Sequence, residues 1–357
     1  MLLISWLVFA ALWVSQAAGR CPEMCNCSQR ASLERTEVDC YQKGLRAIPP
    51  KLPQDAWVLK MGGNLLQDLP ANFLKQIPKI ESINLERNSI KSIHPQALTG
   101  ARRLMLLNLF GNQITKLPLK GFQDLINLRF LMLGQNRITT IKPEIFFGLR
   151  NLSDLDLPIN SLTSLPPNGF KPLIALKVLD LAFNKIQKIS VKAFVGLGEL
   201  QFLNLDNNNI KNIPTGTFKP MNKLEMLVLD NNRLTTVTAS MFEGLSRLQE
   251  LYLRNNEIGK LPEDVFKHIP KITQLALSGN RLKTIDGNSL SQLPALKEVY
   301  LHDNPWSCDC KMKSLVSWLS QTRANLSPFE ALKCTSPPEN KEKTLNILRV
   351  DDLKCKA

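Results

Sequence analysis

One interval governs this chain. Asparagines stand at Asn64, Asn88, Asn112, Asn136, Asn160, Asn184, Asn208, Asn232, Asn256, Asn280 and Asn304, each 24 residues after the last. Aliphatic residues keep step with them. Three positions before the asparagine the series runs Met61, Leu85, Leu109 and on to Leu301; five before, it runs Leu59, Ile83, Leu107 and on to Val299. Ten positions after comes a bulky apolar residue: Leu74, Leu98, phenylalanine from Phe122 to Phe266, then Leu290. A fixed period of this length over eleven units, with no insertion, is the signature of a stacked array rather than of a chain folded around one central core.

The spacing dictates the unit. Side chains on a strand alternate between two faces, so the residues five and three before the asparagine share one face, which points into the core. The chain must then turn, return along the far side, and bring the phenylalanine in as a second apolar column. The asparagine sits at the turn, where its short amide bonds backbone groups of neighbouring turns. No single unit buries enough apolar surface to offset the ordering of its own backbone, so stability comes from stacking, and the two ends need covers.

Cysteine supplies the covers. Cys21, Cys25, Cys27 and Cys40 open the mature chain, Cys308, Cys310, Cys334 and Cys355 close it, and none lies in the 267 residues between. Residues 1–19 read as a signal peptide: Leu2 to Val14 is apolar and uncharged, and Ala17-Ala18-Gly19 offers small residues before Arg20. Even cysteine clusters behind such a segment read as disulfides, with zinc ligation as the alternative, and counting alone leaves three pairings in each cluster. The mature protein is expected in the extracellular space or matrix, exported and soluble, with no membrane span once the signal is removed and no lipid anchor. The expected organisation is a signal peptide at 1–19, an N-terminal cap at 20–50, the repeat array at 51–303 and a C-terminal cap at 304–357.

The chain resembles extracellular leucine-rich-repeat proteins of the 24-residue class. Cys21-Pro22-Glu23-Met24-Cys25-Asn26-Cys27 with Cys40 is similar to their N-terminal cap. Asn304-Pro305-Trp306-Ser307-Cys308-Asp309-Cys310, with Leu315, Trp318, Leu319, Cys334 and Cys355, is similar to their C-terminal cap. The resemblance implies an α/β solenoid: a curved right-handed superhelix with a parallel concave sheet, a mostly irregular convex side, and a disulfide cap at each end. It also implies the bridges Cys21–Cys27, Cys25–Cys40, Cys308–Cys334 and Cys310–Cys355. Within the family the chain resembles the soluble plasma or matrix group that includes leucine-rich alpha-2-glycoprotein and the carboxypeptidase N regulatory subunit. Such a resemblance implies binding of an extracellular protein ligand or receptor, as a modulator of signalling or matrix assembly, with a circulating inhibitor or carrier of a secreted enzyme, or a glycosaminoglycan-binding structural matrix component, as the alternatives.

Residues six, four and two before each asparagine point outward and pave the expected concave face. Here stand Phe110, Phe130, Met132, Asp154, Asp156, Asp180, Phe202, Asp206, Asp230, Tyr252 and Tyr300. Acidic residues beside aromatic and apolar anchors are what protein interfaces use, and these eleven are the expected contact set, for a partner or for a second copy of the chain in a dimer. The net charge of +14 must then sit on the convex side, the loops and the caps, and basic residues crowd the final segment from Lys311 to Lys354 and Lys356. A basic exterior on an exported protein suggests heparan sulfate or another acidic glycan; nucleic acid is not expected, since no recognition motif appears. Sequons place candidate glycans at Asn26, Asn151 and Asn325.

Catalysis is not expected. The three histidines, His94, His268 and His302, lie on separate units, and no nucleophile motif accompanies any of them. The acids Asp154 and Asp156 sit on an open face that does not exclude water, so they read as interface charges rather than a hydrolytic pair or cation site. No phosphate loop or nucleotide fingerprint is present, and no cofactor or metal is expected.

Overall fold

The computed structural model describes residues 20–30, 35–345, 347–353 and 355. The signal-peptide expectation at 1–19 lies outside the described residues, as do Lys354 and Lys356. The chain divides into two compact units, one running to Ile138 together with Glu144–Leu152, the other comprising Thr139–Pro143 and Ser153 onward.

In the first unit Asn26–Arg30 pairs antiparallel with Arg35–Asp39. Every later pairing there is parallel: Arg35–Asp39 with Ala56–Lys60, then Ser82–Asn84, Leu106–Asn108 and Phe130–Met132. In the second unit Asp154–Asp156, Val178–Asp180, Phe202–Asn204, Met226–Val228, Glu250–Tyr252, Gln274–Ala276, Glu298–Tyr300 and Asn325–Leu326 pair in that order, all parallel. The register advances by one repeat per strand, so Leu179 faces Leu155 on one side and Leu203 on the other. Strand residues 24 apart in sequence are therefore neighbours about 4.8 Å apart in space.

The inward positions close the core in both units. Ile83, Leu107 and Leu131 in the first are sealed from solvent, as are Leu155, Leu203 and Leu251 in the second. Phe122 and Phe146 are fully buried in the first unit, and Phe170, Phe194, Phe218, Phe242 and Phe266 in the second. Ring centroids of Phe170 and Phe194 lie 6.3 Å apart and those of Phe194 and Phe218 6.0 Å, a stacked column in which each ring covers the next. The return segments carry short 3-10 turns, such as Phe73–Gln76 and Ala239–Phe242, and two-residue strands such as Ser164–Leu165 paired with Lys188–Ile189.

The asparagines form a ladder of side-chain hydrogen bonds. Asn208 Nδ2 donates to Leu205 O in its own repeat and to Leu181 O in the preceding one, while its Oδ1 accepts from Ile186 N. Asn88 does the same with Leu85 O, Met61 O and Leu66 N. These amides are buried, so each satisfies backbone groups that no water reaches.

Both ends are closed by disulfides. Cys21 joins Cys27 and Cys25 joins Cys40; Cys308 joins Cys334 and Cys310 joins Cys355. The thiols are consumed in bridges, which leaves the zinc alternative no cysteine ligands at either end. At the C-terminal end Trp306 is fully buried and its Nε1 donates to Leu301 O. The helix Lys313–Gln321 buries Leu315 and Val316 and packs against the short helix Gly287–Ser291 of the last full repeat.

Candidate functional site

The outward strand positions divide into two surfaces, one on each unit. On the first unit the strands Leu106–Asn108 and Phe130–Met132 set Leu106 beside Phe130 and Asn108 beside Met132. Phe130 is 42% exposed, while Phe110 and Met132 are half-buried. Asn108 is drawn inward: its Nδ2 donates to Glu86 Oε2 and its Oδ1 accepts from Phe110 N. This surface is apolar at its centre. Nearer the N-terminus its charges are neutralised in pairs, Lys60 with Glu37 and Arg35 with Glu81.

On the second unit the same columns are acidic. Asp156 pairs directly with Asp180, Asp154 with Val178, and Val178 in turn with Phe202. Asp156 is half-buried, and burial first, then the neighbouring Asp180 and Asp154, push its carboxyl up to about 6. Burial likewise raises Asp180, offset by the hydrogen bond from Ala182 N to its Oδ1. Asp230 is also held at about 6 by burial, although Arg254 N donates to it and the Arg254 guanidinium lies beside it, Nε to Oδ2 3.4 Å.

Three of these acids, placed in the expected contact set, are also engaged in hydrogen bonds within the stack. Asp180 Oδ1 accepts the backbone N–H two residues on, a local turn that Asn84, Asn108 and Asn204 repeat at the same column. Asp206 accepts from Asn207 Nδ2 and Asn231 Nδ2, and Asn255 Nδ2 donates onward to Asn231 Oδ1, a second amide ladder at the surface. Asp230 ties the backbone of the next repeat. Asp156 has no such turn, because the residue two positions on is Pro158, which has no N–H to donate. Asp154 and Asp156 are thus the acids that these ladders leave free for contact.

Beside the acids lies an apolar depression of about 250 Å³ lined by Val178, Phe202 and Met226, with Glu225, Glu250 and Gln249 at its rim. Farther along, Arg254 is held between two aromatic rings, its Cζ 4.9 Å from the Tyr252 centroid and 5.5 Å from that of Tyr300. Tyr252 donates to Glu250 and Tyr300 to Glu298, which orients both rings. Burial and the Glu250 carboxylate raise the Tyr252 phenol; the hydrogen bond to Glu298 raises Tyr300. Both phenols stay protonated and act as donors. His302 Nε2 lies 3.8 Å from Asp303 Oδ2, and His94 Nδ1 accepts from Gln96 N. Neither meets a nucleophile in these contacts.

One pair of candidate contact residues escaped the sequence reading. Every residue that directly precedes a ladder asparagine has a positive φ, from Gly63 to Asp303. Seven of these eleven positions are Gly, Asn or Asp, the residues that take this conformation most readily, and that composition was readable in the sequence. Arg87 and Gln135 depart from it with polar side chains, Ile159 and Phe183 with apolar ones. Ile159 and Phe183 stand on adjacent repeats, both at φ 54°, a conformation unfavourable for bulky side chains and most of all for one branched at Cβ. Both face solvent, at 46% and 54% exposure. They stand at the edge of the surface that carries Asp154, Asp156 and Asp180. The three sequon asparagines, Asn26, Asn151 and Asn325, are exposed, and Asn151 Nδ2 donates to Ile126 O.

Comparison with known proteins agrees with this architecture. The family profile "Leucine rich repeat" matches residues 58–114, 102–161, 150–210, 199–258 and 246–305. Leucine-rich repeat-containing protein 3 of Danio rerio is 35% identical over 98 residues, 28% of this chain and 36% of that protein. Chondroadherin-like protein of Mus musculus is 32% identical over 93 residues, 26% of this chain and 12% of that protein. The matched segment thus spans about a third or less of the length of these curated relatives. A chain from the octameric complex of Latrophilin 3 (Lec, Olf), Unc5D (Ig, Ig2, TSP1) and FLRT2 (LRR) superposes with a TM-score of 0.72 at 24% identity, covering 94% of this chain and 100% of that one. The Leptospira interrogans LRR protein LIC12759 superposes at 0.55, also with 24% identity, covering 80% of this chain and 81% of its own. Both likenesses are of fold. With the profile covering its repeats from residue 58 to residue 305 and a disulfide-bonded segment at each end, the chain belongs to the leucine-rich-repeat family.

Proposed function

We propose that this protein is an extracellular binding protein that recognises another protein through its outward strand surfaces, above all that of the second unit. The observation that carries this reading is the pairing of Asp156 with Asp180 beside exposed Ile159 and Phe183 and the Val178–Phe202–Met226 depression. Apolar side chains left half-exposed in an unfavourable backbone conformation weaken the fold and recover only part of that cost from packing, which points to selection for contact. Carboxylates raised by burial recover their charge when a cation approaches, so the fitting partner presents Lys or Arg between apolar side chains.

The bridged cysteines fit an oxidising compartment, and among the described residues no helix is long and apolar enough to cross a membrane. Secretion, membership of the soluble plasma or matrix group, glycosylation at Asn151 and Asn325, and a role in signalling or matrix assembly rather than as a circulating enzyme inhibitor belong to this proposal. Participation of a chain of like fold in a multi-protein complex is consistent with it.

The experiment is capture from serum and from cell surfaces with mass spectrometry, followed by titration of the recovered partner against a variant carrying Phe130→Ala, Asp156→Asn and Asp180→Asn together. A loss of roughly tenfold or more in affinity is expected, since residues at the centre of an interface dominate its energy. Unchanged affinity with an intact fold rejects the strand surfaces as the site.

A further inference from the structure

On the return side of the second unit, behind the strands, three successive repeats form a groove of about 680 Å³. Its walls carry three cations, Lys188, Lys211 and Arg233, and three amides, Gln187, Asn209 and Asn212; no carboxylate lines it. Buried Ile189, part-exposed Ile213 and exposed Pro214 supply an aliphatic floor, and no aromatic ring contributes to its lining. We propose that this groove binds a sulfated polysaccharide chain laid across the repeats, a site separate from the protein-binding strand surface.

The charge arrangement argues for a ligand rather than for stability. Elsewhere in this unit several cations are neutralised across neighbouring repeats: Lys219 by Glu243, Lys223 by Glu199 and Arg281 by Glu257. Among the described residues no ion pair engages Lys188, Lys211 or Arg233. Three like charges on adjacent repeats repel one another and are tolerated because water and counterions screen them. A polyanion that displaces those counterions gains their release.

The geometry selects an extended chain. Lys188 stands four residues after its ladder asparagine, Lys211 three and Arg233 one. The cations therefore step diagonally over three repeats, a run of about 10 Å at strand spacing. Sulfate esters receive the ammonium and guanidinium donors, and sugar hydroxyls and sulfate oxygens receive the amide N–H groups. The apolar part of the lining is aliphatic, with none of the aromatic rings that commonly anchor a protein partner, and the directional contacts the groove offers are its cations and amides. The net charge of +14 draws any polyanion toward the protein, and in the groove cations and amide donors converge in one depression.

The test uses the full mature chain and size-defined heparin oligosaccharides, titrated by calorimetry across a salt series. Substituting Lys188→Gln, Lys211→Gln and Arg233→Gln together is expected to weaken binding roughly tenfold and to flatten the salt dependence. A control with the same charge loss, Lys311→Gln, Lys341→Gln and Arg349→Gln, is expected to stay within about twofold. The single change Lys211→Glu carries the same test if the triple variant does not fold. Equal losses in both triple variants, or full binding of de-N- and de-O-sulfated heparin, overturn the proposal. So does a groove-dependent retention on phosphatidylserine vesicles with none on heparin, which assigns the cations to phosphate headgroups. Affinity for the strand-surface partner is expected to be unchanged in the groove variant, so the two sites fail independently.

Discussion

Leu107 and Leu131 in the first unit, and Leu155, Leu179 and Leu203 in the second, fill the same inward columns and are equally sealed. The outward columns beside them differ. Phe130, Phe110 and Met132 make the first surface apolar, whereas Asp154, Asp156 and Asp180 beside Phe202 make the second acidic. Nothing in the hydrogen-bonded ladder requires this divergence, since Asn112 and Asn208 make the same contacts in both units. Folding in this chain is carried by columns that repeat, and the proposed recognition by columns that vary.

Four measurements press on that separation. The largest effect is expected from the shared columns. Asn208→Ala leaves Ile186 N without its buried acceptor and takes one of two amide donors from Leu181 O and Leu205 O, which keep Asn184 and Asn232, and should cost about 2–3 kcal/mol; Asn112→Ala should cost about the same. Chemical denaturation reads both, and a marked inequality would refute the claim that the units share one architecture. Next, Phe183→Asn and Ile159→Asn should each stabilise the protein by about 1 kcal/mol through relief of the left-handed backbone, while weakening partner binding. A stabilised variant with full affinity would make these side chains bystanders.

A pH effect is expected to be comparable or smaller. Burial holds Asp156 and Asp230 at about 6 in the folded chain, above the ordinary carboxylate value of 3.8. Folding then takes up protons between about pH 4 and 6, so the contribution of these groups to stability is greatest at the acid end and is lost as pH rises through 6. Comparing melting temperatures at pH 5 and 7, Asp156→Asn should shrink the acid-side gain. Affinity for a cationic partner should move the opposite way and weaken below pH 6. The smallest effect is that of Phe130→Ala on folding, within about 1 kcal/mol, because 42% of the residue already faces solvent; a loss of about 3 kcal/mol or more would show that the apolar surface is part of the core.

The 24-residue interval made the inward leucines, the phenylalanine column and the turn asparagines legible, because each is fixed by an offset from one residue. The cysteine pairings were legible only through resemblance, since count and spacing left three pairings for each cluster. Three things required the stack itself. The groove at Lys188, Lys211 and Arg233 exists only when offsets of four, three and one from different asparagines fall side by side. The bonds that engage Asp206 and Asp230 come in part from the following repeat. The exposure of Ile159 and Phe183 depends on a backbone conformation that their own side chains disfavour, so residue type pointed away from it.

The ladder asparagines also give the chain a direction. Within each unit these amides bond their own repeat and the one before it; Asn88 reaches Met61 O and Leu66 N, and Asn64 reaches back to Cys40 O, Lys43 N and Leu45 N beside the first cysteine cluster. None of these side-chain bonds waits for residues that follow. During synthesis, in which N-terminal portions emerge first, a repeat leaving the ribosome meets the acceptors and donors for its asparagine already in place. Removing repeats from the C-terminal end leaves the remaining amides fully bonded, whereas removing them from the N-terminal end strips the next asparagine of its partners in the preceding repeat and leaves it only those of its own. The array is thus built to grow from its first cysteine cap toward its second.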